Sequence, residues 1–188
     1  MHKTRSRSPN KHSEKVSSTP QKPHEEPVFL NVYDLLRLND FTKTVGLGVY
    51  HTGIEVYGVE YGFTGRSSSR SGIFEMTPRN DAELNESCYF NRSILLGATQ
   101  LTPAQVKEVI SQLGRCYRGQ YYHLTNFNCN HFSNALAEFL CGQGIPSWVN
   151  RVANIITHVP ILNHLLPKDV INTRNHGRKA SVQLTRPS

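Results

Sequence analysis

Hydrophobic and polar residues alternate along much of the first half of the chain, which is the pattern of half-buried β-strands. Between residues 47 and 57, for example, Ile54 and Val56 would lie on one face of a strand and His51 on the other. Gly58 then allows a turn into the next strand. The predicted strands are residues 28–33, 47–57, 59–63, 72–76 and 88–97.

The second half of the chain changes to the longer period of amphipathic helices. Thr102, Pro103 and Gln105 predict a helix start, because Thr caps helices well, Pro suits the first turn and Gln completes a capping box. Apolar residues follow at helical spacing, and Gly114 is expected to end this helix.

A second helix is predicted from about Asn128 to Cys141, with Gly142 at the position where helices commonly stop. The apolar stripe of this helix contains Phe132, Ala135, Leu136, Phe139 and Leu140. A third helix is expected between Pro146 and Pro160, since proline cannot continue a helix. Its predicted buried residues are Trp148, Val152, Ile155 and Ile156.

These elements predict one α+β domain over residues 28–166, in which a small antiparallel sheet packs with helices. Residues 1–27 and 167–188 contain few apolar side chains, so we expect both to be disordered basic tails. No apolar run approaches the length needed to cross a bilayer, and no hydrophobic stretch follows the charged N-terminus as in a signal peptide. We therefore expect an intracellular protein, located in the cytoplasm or also in the nucleus.

The net charge of +7 belongs to the predicted tails. The first 27 residues hold six Lys or Arg and three Glu, and the last 22 hold five Lys or Arg and one Asp. The predicted domain is therefore neutral. A nucleic-acid-binding domain would carry a basic face or groove, so no nucleic-acid partner is expected.

The most informative chemistry lies in residues 128–133, which read N-C-N-H-F-S. Cys129 falls at the start of the second predicted helix, where unpaired backbone N–H groups and the helix dipole favour a thiolate. A nucleophilic cysteine also needs a base, and an imidazole is the usual one. The alternative is an inert buried thiol, which is common for cysteine. That alternative fits the other three better: Cys88, Cys116 and Cys141.

Three histidines are candidates for this base. His131 is two positions from Cys129, and side chains two apart on a helix do not face each other. His51 lies in a strand beside glycines that leave room for a neighbouring segment, and His123 lies in a possible strand six residues before Cys129. These observations alone leave His51 and His123 as equal candidates. Zinc binding by Cys129, His131 and His123 would lack any standard ligand spacing, so no metal or other cofactor is expected.

Several blocks of the chain resemble the PPPDE family of permuted papain-fold peptidases, which includes the deSUMOylating isopeptidases. Residues 51–61 read H-T-G-I-E-V-Y-G-V-E-Y, and N-C-N-H-F-S follows at residues 128–133. Shorter similar blocks lie at residues 32–34, 72–75 and 145–151. The resemblance covers about residues 28–166.

The resemblance implies a circularly permuted papain-like fold in which His51 is the base and Cys129 the nucleophile. The histidine strand then precedes the cysteine helix in the chain, and the geometry of the pair matters rather than its order. The implied chemistry is acyl transfer, with the Cys129 backbone N–H as one oxyanion donor. His123 and His131 are left with structural or supporting roles.

The implied substrate is an isopeptide bond between a ubiquitin-like modifier, SUMO or ubiquitin, and a protein lysine. The same Cys–His pair would also open a thioester, so removal of acyl groups such as palmitoyl from protein cysteines is an alternative. A non-catalytic module that binds modifier conjugates is another. The expected partners are modifier conjugates, and the resemblance also allows a homodimer.

Overall fold

The computed structural model describes residues 25–35, 48–84, 86 and 88–151. Five strands form one antiparallel sheet: β1 (Glu26–Leu35), β2 (Tyr50–Val56), β3 (Val59–Phe63), β4 (Ile73–Met76) and β5 (Cys88–Thr99). Two α-helices follow, α1 (Pro103–Cys116) and α2 (Cys129–Cys141). Short 3-10 turns lie at Asp81–Glu83, Gly119–Tyr121 and Ser147–Asn150. The α+β prediction and the five predicted strands are confirmed.

The sheet has the order β4-β3-β2-β1-β5, so β1 lies between β2 and β5, the last of the described strands. β1 pairs with both neighbours in antiparallel register, for example Tyr33 with His51 of β2 and Phe29 with Leu95 of β5. β2 and β3 form a hairpin whose two turn residues, Tyr57 and Gly58, both have positive φ. Such turns match the right-handed twist of paired strands.

One face of the sheet packs against both helices and forms the main core. Alternate residues of the strands supply its sheet side, as the two-residue period predicted. The fully buried members from the sheet include Val28, Leu30, Val32, Ile54 and Phe63, and those from the helices include Val106, Val109, Leu113, Phe132 and Leu136. The opposite face carries a smaller cluster around Tyr33, Met76 and Cys88.

Both helices begin as the sequence predicted. Thr102 caps α1, and its side chain and that of Gln105 form the reciprocal capping box. The expected end at Gly114 is wrong, because α1 continues to Cys116. Gly114 is instead a point of close packing, since an added Cβ would lie 3.1 Å from Ser71 Oγ in the loop before β4. A glycine costs about 1 kcal/mol inside a helix, and packing of this kind can offset that cost.

Other predictions fall partly outside the described residues. Of the third predicted helix, the structure describes the Ser147–Asn150 turn, and Trp148 there is half-buried rather than buried. The predicted buried residues beyond it, Val152, Ile155 and Ile156, lie outside the described residues, as do nearly all of the two predicted tails. Within the described ranges, no helix is both long and apolar enough to cross a membrane.

Candidate active site

Cys129 is the first residue of α2, at the helix start where it was predicted, and Asn128 is the N-cap of this helix. The Asn128 side chain accepts a hydrogen bond from the His131 backbone N–H at 3.1 Å. In return, His131 Nδ1 accepts one from the Asn128 backbone N–H at 3.3 Å. This capping box fixes the first turn of the helix and holds Cys129 at the positive end of the helix dipole.

Among the described residues, the β3-side edge of β2 has no pairing strand where His51 lies. The β2–β3 ladder ends at the Gly53–Gly62 pair, so no β3 residue pairs with the part of β2 before Gly53. On its other edge, His51 pairs with Tyr33 of β1. The first turn of α2 can therefore approach β2 directly beside His51.

Polar contacts hold the start of α2 against β2. Thr52 Oγ1 lies 2.9 Å from both Asn130 Oδ1 and Ser133 Oγ. The Asn130 side-chain amide also donates to the backbone carbonyl of Tyr50 at 3.4 Å. Because Tyr50 and Thr52 flank His51 in β2, these contacts fix the position of His51 relative to the start of α2.

The structure brings His51 and Cys129 into direct contact, whereas the residues alone had left His51 and His123 equal. The imidazole and the thiol interact through both their charges and a hydrogen bond. Cys129 is only 4% exposed, so little of its side chain is accessible in the described part of the chain.

The environment of Cys129 favours its thiolate. Burial alone would raise the pKa of the thiol. The charge and hydrogen bond of His51 act in the opposite direction, helped by the Thr52 backbone N–H and the Tyr122 hydroxyl. The net result is a lowered pKa for the Cys129 thiol.

The environment of His51 favours its protonated form. Burial alone would lower the pKa of the imidazole. The charge and hydrogen bond of Cys129 raise it, as does the charge of Glu60, and the net shift is upward. Each member of the pair thus favours the ionised state of the other, and the arrangement can supply a thiolate nucleophile with a proton donor beside it.

Two aromatic rings border the His51 imidazole. The Phe74 ring of β4 is nearly parallel to it, with ring centroids 6.3 Å apart and an interplanar angle of 13°. The Tyr33 ring of β1 is tilted, with a centroid distance of 6.1 Å. These rings limit the orientations available to the imidazole.

Glu60 is a buried carboxylate that the sequence reasoning missed. It is fully buried, and its Oε2 accepts hydrogen bonds from the Asn31 amide at 2.6 Å, the Tyr33 hydroxyl at 2.8 Å and the Arg79 backbone N–H at 3.0 Å. Within the described residues, its other oxygen, Oε1, has no hydrogen-bond partner. These three donors fix the position of the carboxylate.

The strand register contained a signal for Glu60. Glu60 pairs with Glu55 and Gly62 pairs with Gly53, so all four residues share the face of the sheet that carries His51. A side chain added at Gly53 would collide with the Glu60 carboxylate. The glycine that was expected to admit a neighbouring segment therefore makes room for a carboxylate instead.

Tyr122 is the second residue that the sequence reasoning missed. Its hydroxyl donates to Cys129 Sγ over 3.9 Å, and its ring packs on Phe63 with centroids 5.3 Å apart. The strand considered for residues 121–124 is wrong, because Tyr121 ends the Gly119–Tyr121 turn and His123 forms only an isolated bridge with Phe127. The path of this connection depends on contacts with distant residues, so the local sequence pattern gave no signal for it.

The side chains of the other two candidate histidines, His131 and His123, make contacts away from the Cys129 thiol. His131 caps α2, and burial lowers the pKa of its imidazole. His123 Nδ1 lies 3.1 Å from Thr125 Oγ1, in a short bridge with Phe127. The residues considered for zinc do not come together, and the described ranges contain no group of three or more His, Cys, Asp or Glu placed to hold a metal ion.

The remaining cysteines lie at other places in the fold. All four cysteines are among the described residues, and none forms a disulfide. Cys88 is buried at the start of β5, and Cys116 is the last residue of α1 rather than beyond its end. The Cys141 thiol, at the end of α2, donates to the Ala137 carbonyl at 3.2 Å. Of the four cysteines, only Cys129 lies at the positive end of the α2 dipole.

Known proteins resemble this chain over most of the described fold. It is 44% identical over 142 residues to the desumoylating isopeptidase 1 homolog of Caenorhabditis elegans, a match that covers 76% of this chain and 42% of the relative. It is 38% identical over 144 residues to a DeSI-like protein of Arabidopsis thaliana, covering 77% of this chain and 61% of that one. The chain thus spans less than two thirds of the length of each of these two relatives.

A shorter relative is matched over most of its length. Human desumoylating isopeptidase 1 is 32% identical over 154 residues, which is 77% of this chain and 85% of the human protein. A family model described as "PPPDE putative peptidase domain" matches residues 26–170, which include both His51 and Cys129. This chain belongs to the PPPDE family.

Proposed function

We propose that this chain is a cysteine isopeptidase in which Cys129 is the nucleophile and His51 the general base. The observation that carries the proposal is the direct contact of the two side chains at the N-terminus of α2. A lowered thiol pKa beside a raised imidazole pKa is the condition that thiol hydrolysis needs near neutral pH. Membership of a peptidase family supports the same reaction class.

In the proposed reaction, Cys129 Sγ attacks the carbonyl carbon of the scissile bond. The carbonyl electron pair moves onto its oxygen, which accepts a hydrogen bond from the Cys129 backbone N–H. Collapse breaks the bond to the leaving nitrogen, which takes the proton held by His51. His51 then removes a proton from water, and the resulting hydroxide releases the acyl group as a carboxylate and restores the thiolate–imidazolium pair.

The proposed substrate is an isopeptide bond that joins a ubiquitin-like modifier to a lysine of a target protein. The names of the relatives favour SUMO, and ubiquitin is the second modifier to test. The low exposure of Cys129 also suits the thin C-terminal tail of a modifier better than the bulk of a folded protein. We propose SUMO conjugates as the partners that reach this site.

The proposal is tested with three electrophilic probes on the purified full chain. SUMO and ubiquitin would each carry a C-terminal warhead, and a palmitoyl-chain warhead would represent thioesterase substrates. The two test variants are Cys129→Ala and His51→Ala. Their matched controls are Cys141→Ala and His123→Ala, which remove the same groups at positions that do not contact the reacting pair.

Labelling by a modifier probe should occur at Cys129, disappear in both test variants and persist in both controls. Labelling by the palmitoyl probe alone would contradict the isopeptidase proposal and would indicate a protein thioesterase instead. If Cys129 reacted no faster than Cys88, Cys116 and Cys141, the catalytic proposal would be wrong, and binding of modifier conjugates without cleavage would become the better explanation of the fold.

A further inference from the structure

We propose that the hydroxyl of Tyr122 is the second donor to the oxyanion, which it shares with the backbone N–H of Cys129. The inference rests on the proposed acyl-transfer function and names a group for which the sequence gave no candidate. A single donor leaves part of the developing charge without a partner, and each donor in such a site is typically worth about 100- to 1000-fold in rate.

The position of the Tyr122 hydroxyl fits this role. It lies 3.9 Å from Cys129 Sγ and directs its proton toward the sulfur. During attack, the oxygen that gains charge is bonded to the carbon that Sγ has just joined. A hydroxyl at this distance from the sulfur can therefore turn its proton to the new oxyanion without movement of the backbone.

The two donors act at the same place. The Cys129 N–H belongs to the first turn of α2, where backbone N–H groups have no partner inside the helix. This N–H lies close enough to the Tyr122 hydroxyl oxygen to stabilise a charge on it. An oxyanion beside Sγ would therefore lie within reach of both groups.

Tyr122 keeps its proton at neutral pH and can act as a donor. Burial and the charge of the Cys129 thiolate raise the pKa of the phenol, whereas the Cys129 N–H lowers it. The net shift is well above the ordinary value of a tyrosine. A phenol that keeps its proton can donate a hydrogen bond to a nearby anion. Because it stays neutral, it does not repel that anion.

Contacts made before any substrate binds hold the Tyr122 ring in place. The ring packs on Phe63, and the Tyr122 backbone N–H donates to the Gly119 carbonyl at 3.2 Å. A Cβ added at Gly65 would lie 3.3 Å from Tyr122 Cβ, so the loop after β3 closes tightly over this residue. A donor fixed in advance avoids the cost of reorganisation in the transition state.

Tyr122 could instead serve only to stabilise the Cys129 thiolate, and a comparison of two reactions separates these roles. Alkylation of Cys129 by iodoacetamide needs the thiolate but forms no oxyanion. Hydrolysis of a SUMO C-terminal fluorogenic amide needs both. The variant Tyr122→Phe removes the hydroxyl and keeps the ring, and Tyr121→Phe is the matched control one residue earlier. Both reactions would be measured as a function of pH, and their plateau rates compared.

We expect Tyr122→Phe to lower the plateau kcat of hydrolysis by about 100- to 1000-fold, with KM changed by less than about threefold. The plateau rate of alkylation should change by less than about threefold, because the thiolate is fully formed there. Tyr121→Phe should resemble the wild type in both reactions. Equal losses in alkylation and hydrolysis, or a kcat within about threefold of wild type, would overturn the assignment of Tyr122.

The wild type tests the proposed function separately. If it hydrolysed neither the SUMO amide nor the corresponding ubiquitin amide, or if Cys129→Ala hydrolysed them equally well, the isopeptidase proposal would be wrong and the role of Tyr122 would be wrong with it. Hydrolysis that is lost in Cys129→Ala but retained in Tyr122→Phe would overturn only the role of Tyr122.

Discussion

Glu60 acts on His51 through its charge. Replacing it as Glu60→Gln removes that charge and should lower the pKa of His51, because a carboxylate stabilises the imidazolium. The thiolate–imidazolium pair persists only below the pKa of His51. The alkaline limb of the pH–rate profile should therefore move to lower pH, and activity at pH 8 should fall more than activity at pH 6. The measurement is kcat/KM for a SUMO C-terminal amide as a function of pH.

Glu55→Gln is the matched control, because Glu55 lies on the same face of the sheet but forms its ion pair with the Arg79 guanidinium, at 3.2 Å. It should leave the alkaline limb where it is. Glu60→Gln should also cost about 1–3 kcal/mol of unfolding free energy, because one carbonyl oxygen replaces an anion that accepts three hydrogen bonds. An unchanged alkaline limb in a folded Glu60→Gln variant would contradict the electrostatic role.

The sequence could predict single residues where the local pattern carries their chemistry. Cys129 was found because it falls at the start of the predicted second helix, and the structure places it there. The residues alone could not choose between His51 and His123, since the choice depends on which strand edge α2 meets. Glu60 and Tyr122 were missed because their roles depend on cross-strand register and on the path of a connection. The catalytic roles themselves stay a prediction.

The N-cap of α2 links helix stability to the position of Cys129. Asn128→Ala should reduce the unfolding free energy by about 1–2 kcal/mol, as the loss of an N-cap side chain does. It should also lower kcat by about 10- to 100-fold, because small displacements of a nucleophile are costly. Urea unfolding and hydrolysis of the SUMO amide measure the two effects.

Thr102→Ala separates the two effects of the Asn128 variant. It removes the corresponding cap from α1 and should cost about 1 kcal/mol. Because α1 does not carry Cys129, kcat should stay within about twofold of wild type. Equal losses of activity in the two variants would show that α2 capping has no special effect on the nucleophile.

The sequence predicted where the two helices start better than it predicted where they end. Capping side chains act within one turn, so the capping box of Thr102 and Gln105 was identified from local sequence. Gly142 was also predicted correctly, since it adopts a positive φ of 72° after the last turn of α2. Gly114 has no such backbone conformation, and its role comes from packing against a distant loop.

Phe63 joins the sheet to both helices and to the Tyr122 connection. It is fully buried, and its ring lies within 5.2–6.2 Å, between centroids, of four others. These are Tyr117, Tyr122, Phe127 and Phe132. Phe63→Ala should cost about 3–5 kcal/mol of unfolding free energy, a large part of the stability of an ordinary domain. Phe63→Leu should cost less and leave a folded protein for assay by urea unfolding.

Leu95→Ala is the control for the Phe63 variants. Leu95 is 62% exposed on β5, and truncation there should change the unfolding free energy by less than about 0.5 kcal/mol. If Phe63→Leu were as stable as Leu95→Ala, Phe63 could not be a central contact of the core.

The whole-molecule arrangement was only partly predictable. The period of each segment identified strands and helices, and the buried face of each strand followed from it. The order of the strands did not follow, since β1 pairs with the distant β5 as well as with β2. Such pairing depends on contacts between residues far apart in the chain.

The early end of the β2–β3 ladder has a wider consequence. In a continuous sheet, the outward backbone N–H of Thr52 would be used in strand pairing, whereas here it helps to stabilise the Cys129 thiolate. The Cys129 thiolate thus accepts a hydrogen bond that a neighbouring strand would accept in a continuous sheet. Extending the β2–β3 pairing to Thr52 would use this N–H in the sheet and remove it from the Cys129 thiolate, although neither Cys129 nor His51 had been changed.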